Sequence, residues 1–141
     1  MKVLFICTGN TCRSPMAEGI YNAKAVPRGL APAESAGIFA VPGDPVTANA
    51  ATAAAEYGAD ISGHRAQTVT AELLDSCDRI YCMTPSHVAA LAALFPSCVS
   101  KCRLLDEKGI PDPYGGDLDC YRRTAAAIHT AIEAILGEIC P

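Results

Sequence analysis

Apolar and polar positions along the chain fall into two rhythms. Short solid apolar runs bounded by turn residues alternate with longer segments whose apolar residues recur every three or four places. The runs predict buried strands, and the longer spacing predicts helices packed by one face. Lys2–Cys7, built on Val3-Leu4-Phe5-Ile6, is the first strand. Pro15–Ala25 is the first helix, with Met16, Ile20 and Tyr21 facing inward, and it is broken by Pro27, Gly29 and Pro32. Glu34–Gly37 continuing into Ile38-Phe39 reads as a second strand that ends in a turn, before the loop Pro42-Gly43-Asp44-Pro45. The alanine-dense stretch Val46–Tyr57 is helical by propensity and closes at Gly58.

After a polar connection over Ala59–Thr68, Thr70 caps a short helix through Ser76. Arg79–Met83 is a third strand, and Thr84-Pro85 opens a helix running to about Leu94. Val99–Leu105 is a fourth strand, and Asp106–Gly116 a loop rich in Gly, Pro and acid. Leu118–Ile139 is the last helix, with Asp117 as cap and Asp119 as first-turn acid. Its stripe of Tyr121, Ala125, Ile128, Ile132, Ile135 and Ile139 belongs in a core. Strands alternating with helices predict a single α/β domain over residues 1–141, with a four-stranded parallel sheet and helices on both faces. Ligands of such sheets bind beyond the carboxyl ends of the strands.

The segment at the end of the first strand is Cys7-Thr8-Gly9-Asn10-Thr11-Cys12-Arg13-Ser14-Pro15. A junction between a strand's carboxyl end and a helix N-terminus offers unpaired N–H groups and the positive end of a helix dipole, which favour a bound dianion. Ser14 and Pro15 are the residue types of a helix cap and first position, and Gly9 and Asn10 are types that accept positive φ, curling N–H groups into an anion nest. Beside these dipoles and a fixed cation Cys7 is a candidate thiolate nucleophile. Arg13 carries a planar fork suited to two phosphoryl oxygens, and Ser14 can donate to the sulfur when it leaves. Taken alone, a Cys followed six places later by an Arg is also compatible with a structural thiol beside a surface cation.

Composition narrows the partners. Half of the residues are hydrophobic, 18% are charged and the net charge is −4, which argues against a nucleic-acid surface or a polybasic membrane anchor. The apolar run after Met1-Lys2 is too short for an export signal, and no stretch approaches the roughly 20 residues of a membrane span. A cytoplasmic protein is expected, its eight cysteines reduced. Cys77/Cys82 and Cys98/Cys102 lack flanking histidines, so no metal and no cofactor are expected. Most of the cysteines read as core filler.

The full string resembles the active-site loop of the low-molecular-weight protein tyrosine phosphatase family, C-x-G-N-x-C-R-S-P, with every fixed place filled. The resemblance extends over nearly the whole chain. It implies a phosphocysteine mechanism in which Cys7, Arg13 and a general acid act together, with Thr8, Gly9, Asn10, Thr11, Cys12 and Ser14 around the phosphoryl group. The family places its acid in an Asp-Pro-aromatic segment before the final helix. Asp112-Pro113-Tyr114 matches, so Asp112 is the candidate acid and Tyr114 a substrate contact. Ser35, in Ser35-Ala36-Gly37, and His64, in Gly63-His64-Arg65-Ala66-Gln67, look like the residues that hold the loop Asn in relatives.

Two departures bear on substrate. Thr11 stands where the family's tyrosine phosphatases usually carry Ile, and Gly115 where they often have a second aromatic; both resemble the protein arginine phosphatase branch. The implied substrate is phosphoarginine on proteins, with inorganic phosphate as product and a monomer as the working form. Protein phosphotyrosine is the alternative. A thiol-relay arsenate reductase has a similar loop but commonly carries Gln at the place of Pro15, and Cys77/Cys82 lacks the relay spacing. Cys12 is either a packing residue or a trap for an oxidised Cys7.

Overall fold

The computed structural model describes residues 1–140. Four strands, β1 (Val3–Cys7), β2 (Glu34–Gly37), β3 (Arg79–Cys82) and β4 (Cys102–Leu104), form one parallel sheet in the order β2-β1-β3-β4. The helices are α1 (Arg13–Ala25), α2 (Ala48–Ala55), α3 (Ala71–Ser76), α4 (Pro85–Leu94) and α5 (Leu118–Ile139). Alternate side chains of β1 divide between two cores. Val3 and Phe5 pack with Met16, Ile20, Tyr21, Ile128 and Ile132 from α1 and α5, and Phe5 lies edge-on to Tyr21 at 5.7 Å. Leu4 and Ile6 pack on the opposite face with Leu74, Ile80 and Leu91. Helices therefore cover both faces, which is why β1 is apolar throughout rather than alternating. No helix among the described residues is long and apolar enough to cross a membrane.

Several boundaries differ from the sequence reading. Helix α1 begins at Arg13, and Ser14 is not its cap; the cap position falls on Cys12 without a side-chain bond, because the Ser14 hydroxyl is turned to Cys7 and Asn10. Helix α2 starts at Ala48 because the Thr47 hydroxyl accepts from the Ala50 N–H, leaving Val46 outside. The stretch Val99–Lys101, expected as strand, belongs to a 3₁₀ helix over Pro96–Lys101; only Cys102–Leu104 pairs with β3. Strand β2 stops at Gly37, but Ile38 and Phe39 donate to the carbonyls of Cys7 and Thr8 and so brace the loop that follows β1.

Candidate active site

The loop from Cys7 to Ser14 is held by an amide. Asn10 takes φ +57° and is fully buried, while Gly9 is not in the left-handed region, so Asn10 alone makes the reversal. Its side chain fixes that conformation through four bonds. The Asn10 Oδ1 accepts from the Gln67 N–H at 3.0 Å and from His64 Nε2 at 3.1 Å, and its Nδ2 donates to Ser14 Oγ at 2.9 Å and Ser35 Oγ at 3.0 Å. A backbone N–H can only donate, so the Gln67 contact orients the amide. Ser35 in turn donates to Glu18 at 2.7 Å. Burial lowers the His64 pKa and raises that of Glu18, which faces His64 Nδ1 at 3.9 Å.

This orientation directs a proton toward sulfur. Ser14 already accepts from Asn10, so its own hydroxyl hydrogen is free for Cys7 Sγ, 2.8 Å away. The Asn10 N–H also reaches that sulfur at 3.3 Å. Two donors thus converge on one buried sulfur.

Arg13 is buried, its Nη1 donating to the Ile110 carbonyl at 3.0 Å and its Nη2 lying 3.7 Å from Asp112 Oδ2. Among the described residues its Nε makes no hydrogen bond. Asp112 remains about half exposed, with the Tyr114 N–H donating to its Oδ1 at 3.0 Å. The Cys12 thiol lies 3.8 Å from that oxygen, and burial first, then Cys7 and Asp112, push its pKa up to about 12. Cys7, Thr8, Gly9, Thr11, Cys12, Arg13, Asp112 and Tyr114 line one cavity of about 220 Å³. Of the residues expected around the phosphoryl group, Asn10 and Ser14 do not line this cavity; both are buried, and Asn10 bonds Ser14, Ser35 and His64 instead.

Three supporting groups escaped sequence reasoning. His87, in the first turn of α4, is buried and lies 2.8 Å from Thr8 Oγ1 through Nε2 and 3.1 Å from Thr84 Oγ1 through Nδ1. Burial, then the Arg13 charge, push its pKa down to about 4. Its signal was its place just past the carboxyl end of β3, the same rim as the cradle. The other two are Glu18 and the Gln67 main chain, for which no residue-type signal exists.

An arrangement of a donor-bonded thiol, a buried guanidinium and a half-exposed carboxylate around one small cavity can carry out phosphoryl transfer through a covalent thiophosphate. Comparison with known proteins points the same way. The family described as low molecular weight phosphotyrosine protein phosphatase matches residues 2–140. A protein-arginine-phosphatase from Bacillus subtilis is 37% identical, the match covering 99% of this chain and 97% of the relative. The low molecular weight protein tyrosine phosphatase of T. tengcongensis superposes with a TM-score of 0.93 at 41% identity, over 98% of this chain and 99% of that one. The arginine phosphatase YwlE, as a cysteine-to-serine mutant with its active-site serine phosphorylated, also gives a TM-score of 0.93, at 32% identity over 99% and 95% of the two chains.

Proposed function

The chain belongs to the low molecular weight phosphotyrosine protein phosphatase family, and from that premise we propose that it hydrolyses phosphoarginine on proteins through a phosphocysteine at Cys7. The observation that carries this reading is that Thr11 and Asp112 line the same small cavity as Cys7 and Arg13. In the proposed reaction Cys7 Sγ attacks phosphorus while Arg13 and the loop N–H groups take up the charge on the phosphoryl oxygens. Asp112 delivers a proton to the departing guanidine nitrogen, then removes one from the water that attacks the phosphocysteine. Ser14 donates to the sulfur as it leaves, and inorganic phosphate is released.

Specificity rests on the rim. A guanidinium leaving group is planar, polar and cationic, and the Asp112 carboxylate suits it in charge. The Thr11 hydroxyl keeps the rim polar where an Ile would present only hydrocarbon. Phosphotyrosine remains the second reading because the Tyr114 ring, 73% exposed beside the cavity, offers an aromatic face to another ring. The same premise supports a monomer acting on phosphorylated proteins in the cytoplasm.

The test compares kcat/KM for a phosphoarginine peptide and a matched phosphotyrosine peptide on the parent and on Thr11→Ile. The parent should prefer phosphoarginine, and the substitution should move the ratio by about tenfold toward phosphotyrosine. Preference of the parent for phosphotyrosine would remove the arginine assignment and leave the phosphatase.

A further inference from the structure

A second group of thiols lies under the sheet, away from the phosphate cavity. Cys98 sits in the 3₁₀ helix, Cys102 opens β4 and Cys82 closes β3, all on the face covered by α3 and α4. Cys98 Sγ and Cys102 Sγ are 3.7 Å apart, and the Cys102 thiol lies 3.4 Å from the Cys98 carbonyl. All three cysteines are free. Cys98 and Cys82 are buried, whereas Cys102 keeps part of its surface in solvent.

We propose that Cys98 and Cys102 form a peroxide-reactive dithiol that closes to a reversible disulfide, a modification site separate from the phosphate cavity. Chemistry and geometry assign the roles. The Cys82 thiol first, then the Cys98 thiol and the Arg103 charge, hold the Cys102 pKa below the usual thiol value, while burial pushes Cys98 up to about 11. Cys102 is therefore the attacking sulfur and also the one that solvent reaches. Its thiolate attacks one oxygen of hydrogen peroxide, the O–O bond breaks and hydroxide leaves, giving a sulfenic acid. Cys98 then attacks that sulfur, the S–O bond breaks and water leaves with the Cys98 proton. Two thiols and one peroxide become one disulfide and two waters, with two electrons passing from sulfur to oxygen.

Cys98 is the partner because its backbone can adjust. A bond length near 2.05 Å requires the two sulfurs to approach by about 1.7 Å, within reach of side-chain rotation and a small shift of a 3₁₀ turn. The Cys82 thiol also acts on Cys102, but Cys82 lies in an interior strand paired on both sides, with Leu104 rather than Cys102 as its partner in β4. None of the residues lining the phosphate cavity belongs to the group.

The test exposes the full chain to a small excess of hydrogen peroxide, blocks remaining thiols by alkylation and digests with trypsin without reduction. Cleavage after Arg79, Lys101 and Arg103 leaves Cys98 in the peptide 80–101 and Cys102 in the dipeptide 102–103. A Cys98–Cys102 bond keeps the two joined until dithiothreitol is added, and a further chymotryptic cut after Leu94 assigns the dipeptide to the fragment with Cys98. In Cys98→Ser the dipeptide should be released, and in Cys82→Ala it should stay attached. Recovery of the free alkylated dipeptide from the oxidised parent would overturn the proposal, as would its attachment to the fragment containing Cys82. The readout is a peptide mass and does not depend on phosphatase activity.

Discussion

Replacing Asn10 separates the hydrogen-bond network from the backbone conformation that the network enforces. Asn10→Gly removes all four side-chain bonds but keeps easy access to φ +57°, whereas Asn10→Ala removes the same bonds and adds a left-handed strain of about 1 kcal/mol. Not every partner is orphaned. Ser14 keeps its contact with Cys7, and Ser35 keeps its bond to Glu18. The Gln67 N–H and His64 Nε2 lose their partner in a part-buried place, at about 1–2 kcal/mol each. Asn10→Gly should therefore cost about 2–4 kcal/mol in urea unfolding and Asn10→Ala about 1 kcal/mol more, set against a typical domain stability of about 5–15 kcal/mol. Both should remain folded, yet kcat/KM on an aryl phosphate should fall by more than tenfold, because the Asn10 N–H no longer stands over Cys7 Sγ. A loss below about 0.5 kcal/mol for Asn10→Gly would refute the assignment of the loop's shape to this amide, and equal stability of the two variants would refute the left-handed strain.

Two further predictions follow from groups next to the cradle. His87 has a folded pKa of about 4 against an ordinary 6.5, so the unfolded chain takes up the proton first; its contribution is intact above about pH 7 and is lost as pH falls from 6.5 toward 4, amounting to about 2 kcal/mol by pH 5. Stability of the parent measured at pH 7.5 and 5 should fall by about that much more than in His87→Gln, and equal losses would refute it. Gly37→Ala puts a Cβ 2.5 Å from the Thr8 carbonyl oxygen and 3.1 Å from the Asn10 nitrogen, both main-chain atoms, so overpacking of about 1–3 kcal/mol and a loss of activity are expected. Activity within twofold of the parent would show that β2 does not fix the cradle.

What the sequence made legible followed local rules. Thr84-Pro85 and Thr70 started α4 and α3 where a hydroxyl cap must stand, and the stripe from Tyr121 to Ile135 is buried as its spacing required. The candidate site in the loop after β1 was legible because its residue types are adjacent in sequence. What failed depended on tertiary partners. Ser14 is a cap by type, but Asn10 and Cys7 claim its hydroxyl. Val99 is β-branched, yet Pro96 begins a 3₁₀ turn that holds Lys101 against the carbonyl of Leu74 at 2.9 Å, so pairing starts three residues later. His87 is 79 residues from Thr8, and its place past the end of β3 marks the rim without showing which residue it meets there.

The division of labour proposed for Arg13 and Asp112 matches how each is anchored. Arg13 is on a helix and tied to the Ile110 carbonyl, while the Ile110 N–H is itself bonded to the Met83 carbonyl at 2.7 Å. A chain of contacts thus runs from Met83, just past β3, through Ile110 to the guanidinium and fixes the cation against the end of the sheet. Asp112, two residues beyond Ile110, has no such tie among the described residues: its Oδ1 meets the Tyr114 N–H and the distant Cys12 thiol, and Arg13 stands 3.7 Å from Oδ2. A buried guanidinium with an unpartnered Nε is unfavourable unless an anion completes it. Asp112, half exposed and beyond hydrogen-bond distance, completes it only in part. The site therefore combines a rigid, incompletely neutralised cation with a loosely held carboxylate, as the roles proposed for Arg13 and Asp112 need. A phosphoryl dianion requires the first, and proton delivery requires the second.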